Sequence, residues 1–365
     1  MPHLKLKNLL IFIGTILFWS CSKDDMRHDG LFTDPKGGPT PYYLSIPEGF
    51  PDYFIDEKHL LTEEGVALGR RLFYDPILSK NRNISCSSCH QQEHAFSDPR
   101  SKSVGTHGGF TTFHSMPLFN IAWMDQFFWD GRAPTREDQA LKPVINSIEM
   151  DMTWPAVIER LKVHPLYPKL FEAAFGVSEI DSNQVVQAIV QFEMTIVSAD
   201  SKYDRYKRGL VELTPVERLG ERVFESFQEG DCIHCHLPSE RPLLADNSFH
   251  NNGLDARVDM LPGLAAVTGR DVDLGKFKTP SLRNLAYTAP YMHDGRFSTL
   301  EELIDFYSNG VHDYPEVDPK MEFSEHGGVG VNLDSTEKAA LIAFLLTLTD
   351  SNLVTNPAYS NPFTP

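Results

Sequence analysis

From Thr62 onward the chain takes on a helical rhythm. Val66, Leu68, Leu72 and Phe73 recur at spacings that gather them on one apolar side, with charged residues between them. The same period runs through residues 154–175 and 184–198, where strand signals are few. Thr214-Pro215-Val216-Glu217 marks a capped helix start, with threonine accepting from the first turn and proline at the first helical position. Asp334-Ser335-Thr336-Glu337, ahead of Leu341, Phe344 and Leu345, marks another. The pattern predicts a mostly α fold with long functional loops. Residues 21–45, polar and rich in Gly and Pro, read as a tether, and residues 351–365 as a loose tail.

A six-residue stretch occurs twice. Leu68-Gly69-Arg70-Arg71-Leu72-Phe73 is echoed by Leu219-Gly220-Glu221-Arg222-Val223-Phe224. Each copy precedes a cysteine motif, Cys86-Ser87-Ser88-Cys89-His90 in the first case and Cys232-Ile233-His234-Cys235-His236 in the second. A duplicated ancestral unit leaves this trace, and two amphipathic helices of independent origin are the plainer alternative. Two cysteines three apart with histidine directly after form the attachment pattern of a c-type haem. On one turn both thiols reach the vinyl groups of a single porphyrin, and the histidine meets the iron as proximal ligand. A zinc site built from two cysteine pairs would need only four ligands, and here each pair carries the extra histidine in the same place. The chain is therefore read as two cytochrome c-like domains, 46–205 and 206–350, each with one covalently bound c-type haem.

The rest of the composition fits an exported protein. Lys5 and Lys7 precede a mainly apolar run through Trp19, then Ser20 and Cys21, a secretory leader over 1–20 too short for a stable membrane span. Cys21 in that place resembles the acylated cysteine of bacterial lipoproteins, and the following Ser22-Lys23-Asp24-Asp25 resembles a surface-export signal of some of them. With Cys21 given to lipid and four cysteines to haem, all five are used and none is left for a disulfide. The expected location is periplasmic or cell-surface, with membrane contact through the lipid anchor only. At 365 residues the chain suits two domains, and its formal charge of −17 argues against nucleic acid and for a basic partner or a plain soluble surface.

Several further stretches, spanning roughly residues 60–348, resemble the bacterial di-haem cytochrome c peroxidases and the related MauG-type enzymes. They are Phe128-Trp129-Asp130-Gly131-Arg132-Ala133, Glu149-Met150, Phe277-Lys278-Thr279-Pro280-Ser281-Leu282-Arg283-Asn284 and Thr288-Ala289-Pro290-Tyr291-Met292-His293-Asp294-Gly295. The resemblance implies a peroxidatic N-terminal haem and a C-terminal haem that stores or relays an electron. Reduction of hydrogen peroxide takes two electrons, whereas a small c-type cytochrome delivers one at a time, so two redox centres in one chain suit the reaction.

The resemblance also implies roles for single residues. Glu149 matches the catalytic glutamate, Gln139 its companion in the distal pocket, and Trp129 the tryptophan between the porphyrins. His90 and His236 become proximal iron ligands. His107, among flanking glycines, matches a histidine that blocks the first iron in the resting oxidised enzyme, with His114 as its rival. Tyr307 falls where many members have an axial methionine and MauG-type enzymes a tyrosine, and Met292 competes with it. An anionic phenolate favours high oxidation states of iron, whereas methionine favours the reduced ion. A calcium ion between the haems would take the carbonyls of Thr288 and Pro290, with Ser115 standing where the family has asparagine. A homodimer is carried over loosely. Three functions follow: a peroxidase using a small cytochrome or another periplasmic donor, a MauG-like oxidase of a protein or organic substrate, and a plain di-haem electron carrier.

Overall fold

The computed structural model describes residues 38–53, 60–177, 179–237, 242–323 and 328–363. The leader, Cys21, the export signal and most of the tether lie outside them. The chain is mostly helical: α1 (Glu63–Tyr74), α2 (Arg136–Ile145), α3 (Trp154–Lys162), α4 (Tyr167–Phe175), α5 (Ser182–Thr195), α6 (Lys202–Lys207), α7 (Pro215–Glu225), α8 (Ala265–Thr268), α9 (Leu300–Asp305), α10 (Ser335–Leu346) and α11 (Ser351–Thr355). The strands described are two-residue pieces, β1 (Phe249–His250) against β2 (Phe277–Lys278) and β3 (Glu322–Phe323) against β4 (Gly328–Val329). Among the described residues no helix is long and apolar enough to cross a membrane.

Local chemistry sets the helix starts. Thr62 Oγ1 accepts from Gly65 N at 3.0 Å, and Glu63 and Glu64 place acid in the first turn of α1, where the helix dipole favours it. At α7, Thr214 Oγ1 accepts from Glu217 N and the Glu217 carboxylate accepts from Thr214 N, a reciprocal pair with Pro215 opening the helix. Asp334 and Glu337 repeat the arrangement at α10.

The duplicated stretch is a packing device. Gly69 of α1 lies against α5 so closely that a Cβ would sit 1.7 Å from Ala188 O, with Phe192 Cβ next. Gly220 of α7 lies against α10 in the same way, 1.9 Å from Ala340 O with Phe344 Cβ next. The aromatic pairs correspond as well: Phe73 meets Phe192 at 5.3 Å between ring centroids, and Phe224 meets Phe344 at 5.2 Å. A mid-helix glycine costs about 1 kcal/mol relative to alanine, and close helix contact offsets that cost. The repeat thus extends to the partner helices, Ala188-Ile189-Val190-Gln191-Phe192 and Ala340-Leu341-Ile342-Ala343-Phe344. One core gathers around α1, α3, α4 and α5, and another around α7, α9 and α10.

The helical period over 154–175 is carried by two helices, because Pro165 disfavours helical geometry at His164 and the chain turns there before α4. Two expectations need correction. The tether does not run free to residue 45: the Glu64 carboxylate accepts from Thr40 N at 2.8 Å, and Tyr42 N donates to Leu61 O at 2.9 Å. The loose tail is a strap. Leu353 is 1 % exposed within the first core, Gln92 donates to Leu353 O and Asn356 O at 3.2 and 2.8 Å, and Arg70 donates to Pro357 O and Ser360 O. Tyr359 donates to Thr195 O at 2.8 Å and sets its ring edge against Phe96.

Leu353→Ala is expected to destabilise the protein by about 2–5 kcal/mol in denaturant titrations, as for other fully buried leucines. An unchanged midpoint would mean that the strap is not part of the core.

Candidate functional site

Each cysteine motif folds into one tight turn, Cys86–Ser88 and Cys232–His234. His90 N donates to Cys86 O at 3.0 Å, and His236 N donates to Cys232 O at 2.9 Å, so the histidine closes the turn identically in both. The side chains match too. His90 Nδ1 lies 3.0 Å from Phe96 O, and His236 Nδ1 lies 3.0 Å from Leu244 O. A carbonyl only accepts, so Nδ1 carries the proton and Nε2 keeps its lone pair for a metal. The residues offering these carbonyls both have left-handed backbones, Phe96 with φ 60° and Leu244 with φ 50°. Burial lowers the pKa of both imidazoles, that of His236 to about 4, so both are neutral at physiological pH. All four cysteines are free and partly buried. Two thiols on one turn beside a neutral, oriented imidazole is the donor set that a covalently attached haem requires, and both turns offer it.

A second grouping involves Cys235. Its sulfur, an Asp246 oxygen and a His250 nitrogen lie within 4.8 Å of one another. Asp246 and Asp318 occupy the two His250 nitrogens at 2.8 and 2.6 Å and push its pKa up to about 11 against the effect of burial. His250 is therefore a cation between carboxylates, with no lone pair for a metal.

His90 opens onto a cavity of about 430 Å³ whose wall includes His114, Ser115, Trp129, Gln139 and Glu149. Gln139 comes from α2, started by Thr135, whose side chain accepts from Asp138 N. Glu149 follows in the turn after α2, where Asn146 Nδ2 donates to its carboxylate at 2.7 Å. Burial raises its pKa, and the Arg132 charge and the Asn146 hydrogen bond pull the other way. The result is a carboxyl able to hold or release a proton.

The loop at 104–109 grips this turn from behind: Thr106 N donates to Glu149 O at 2.7 Å, and a Cβ on Gly105 would lie 1.6 Å from Ile148 O. His107 does not line the cavity. It faces outward, with Nε2 2.9 Å from Asp151 Oδ2 and Nδ1 3.3 Å from Asn81 Nδ2. His114 does line it, but its Nε2 donates to Asp98 O at 2.8 Å. Of the two histidines weighed as a block on the first iron, one faces away and the other is committed to backbone.

His236 opens onto a second cavity of about 160 Å³, shared with Met292 and Tyr307. Tyr307 sits in a π-helical turn, Phe306–Gly310, that extends α9, a local widening common at functional sites. Its hydroxyl accepts from Asn252 Nδ2 at 3.1 Å, and burial pushes its pKa up to about 12. The same Asn252 nitrogen is 3.8 Å from Met292 Sδ, so both candidate ligands face His236. Trp129 belongs to the walls of both cavities. Its indole donates to His114 O at 2.9 Å, and its carbonyl accepts from Lys278 N at 2.8 Å.

The expected calcium ligands are not drawn to these cavities as a set. Ser115 lines the first, where its hydroxyl pairs with Ser103 Oγ at 2.8 Å; Thr288 and Pro290 line neither. Sequence reasoning passed over His293. This ring is 4 % exposed, stacks on Phe277 at 3.7 Å, and stands 6.4 Å edge-on from Trp129 on the wall of the second cavity. It lies inside Met292-His293-Asp294-Gly295, a stretch quoted above without a role for this residue.

Comparison with known proteins gives the same picture. The model of the di-haem cytochrome c peroxidase family matches residues 63–212. The methylamine utilization protein MauG of Methylorubrum extorquens is 37 % identical over 290 residues, 79 % of either chain. The cytochrome c551 peroxidase of Nitrosomonas europaea is 31 % identical over 77 % of this chain and 79 % of its own. The crystal structure of a MauG-like protein associated with microbial copper homeostasis superposes with a TM-score of 0.79 at 36 % identity, covering 88 % of this chain and 99 % of that one. With both attachment turns intact and likeness across most of its length, the chain belongs to the di-haem cytochrome c peroxidase and MauG family of oxidoreductases.

Proposed function

We propose that the protein reduces hydrogen peroxide to water at its first cavity, with electrons from a small c-type cytochrome or a similar donor entering through the second. The observation that carries this reading is the placement of Glu149 and Gln139 in the cavity onto which His90 opens. The halves 46–205 and 206–350 would each hold one haem c, the first through Cys86, Cys89 and His90 and the second through Cys232, Cys235 and His236. The bound haems supply one-electron chemistry at iron. Glu149, its pKa raised by burial and its carboxylate oriented by Asn146, moves a proton between the two peroxide oxygens. Gln139 hydrogen-bonds the incoming oxidant. Trp129, facing both cavities with its indole N–H committed to His114 O, carries the electron between them.

The mature chain is exported and anchored through acylated Cys21 at the periplasmic or outer surface. A calcium ion would rest on the Thr288 and Pro290 carbonyls with Ser115 reaching it through water, and the protein would pair as a homodimer. With His107 held on Asp151, the first iron needs no unblocking. Tyr307 favours a second reading, in which the high oxidation state is shared with the second site and spent on a protein or organic substrate.

Peroxide turnover with a reduced small cytochrome is expected from the enzyme as purified, without partial pre-reduction. Glu149→Gln should lower kcat by about 10²–10⁴-fold, the usual contribution of a general acid-base group. A Glu149→Gln enzyme as active as wild type would leave only electron carriage. Trp129→Phe should slow electron transfer between the haems while both haem spectra persist, and unchanged interhaem kinetics would remove Trp129 from the route. Tyr307→Phe should alter the near-infrared spectrum of the second haem alone; a wild-type band typical of histidine-methionine ligation would give the position to Met292.

A further inference from the structure

One buried acid beside the first attachment turn has no part in the chemistry described so far. Glu193, on α5, is 3 % exposed, and its Oε2 is buried with no hydrogen-bond partner among the described residues. It lines a side pocket of about 50 Å³ whose wall also includes Cys86, Cys89, His90, Gln139 and Glu149. The surrounding run of α5, from Val185 to Thr195, is buried apart from Gln187. The charged group that acts on Glu193 is Glu137 from α2, an acid; Cys86, at the first attachment turn, has no charge once its thiol is joined to haem.

Two carboxyls therefore share the side pocket in unlike surroundings. Burial raises the pKa of Glu149 too, but the Arg132 charge and the Asn146 donor act in favour of its anion. Glu193 has burial and Glu137 against it, and its pKa rises to about 8, so it stays protonated at neutral pH. Carboxyls pushed apart by their environments are how enzymes divide acid and base duties.

We propose that Glu193 is the proton store of the first cavity, holding a carboxylic O–H on the wall it shares with Glu149 and Gln139 and releasing that proton during peroxide reduction. The proposal rests on the peroxidase reading. The overall change is H₂O₂ + 2 e⁻ + 2 H⁺ → 2 H₂O: the O–O bond breaks, and the protein donor supplies two electrons in single steps. Glu149 only relocates a proton that peroxide already carries, so both added protons must come from elsewhere. Glu193 gives one from its O–H, is left as carboxylate, and is reloaded from solvent.

The test uses the full-length di-haem protein and the variants Glu193→Gln and Glu193→Asp. Glu193→Gln should lower kcat by about 10²-fold, with KM for the donor unchanged, and Glu193→Asp should recover part of it. The redox-induced infrared difference spectrum should show a carboxylic C=O band in wild type that is lost in Glu193→Gln. The midpoint potential of the first haem, pH-dependent in wild type, should become flat in Glu193→Gln. Wild-type turnover in Glu193→Gln, persistence of the infrared band, or loss of a haem from that variant would each overturn the proposal. Failure of the peroxidase reading would appear separately, as a wild type inert to peroxide. The infrared band and the potential would still report on Glu193: their loss in Glu193→Gln would uphold its proton-holding role, and their absence from wild type would end it.

Discussion

In each half a buried imidazole is held by one hydrogen bond from Nδ1 to a backbone carbonyl, Phe96 O in one case and Leu244 O in the other, both at 3.0 Å. That bond fixes tautomer and ring orientation, and everything said of the two cavities presupposes it. It has a conformational cost, because Phe96 and Leu244 must stand in left-handed geometry, about 1–3 kcal/mol for a residue other than glycine. Such geometry persists only where the surroundings over-determine it. Phe96 is fully buried against Phe73 and edge-on to Tyr359, and Leu244 is buried in the second core.

Around these matched anchors the halves diverge. The first cavity is given the Glu149 carboxyl and the Gln139 amide, and the side pocket next to it the Glu193 carboxyl. The second is given Tyr307, Met292 and a stacked His293 and Phe277, groups suited to ligate or pack. Trp129 faces both. Two halves with matched anchors thus carry unlike linings, and that is the division that the proposed two-electron reduction fed by single electrons calls for.

What could be read from the chain was what is local. The cysteine motifs, the caps at Thr214 and Asp334, and the repeated Leu-Gly pair all act within a few residues of themselves. The break at Pro165 was equally local, and its signal was present. The place of His107 depends on Asp151, a partner remote in sequence, 2.9 Å from its Nε2. Glu193 could be seen as a lone acid in an apolar run, but only the packing of α5 shows that it meets no cation. The partner helices of Gly69 and Gly220 escaped notice because what they share, an alanine carbonyl and a phenylalanine one turn on, is legible only once the crossings are known.

The strap over the first core has a consequence for how the molecule is made. Leu353 and Tyr359, which complete the surroundings of Phe96, are encoded beyond the entire second half. The first core, against which Cys86 packs, is therefore completed only when residues from beyond the second attachment turn have folded back onto it, so the first half cannot reach its final packing alone.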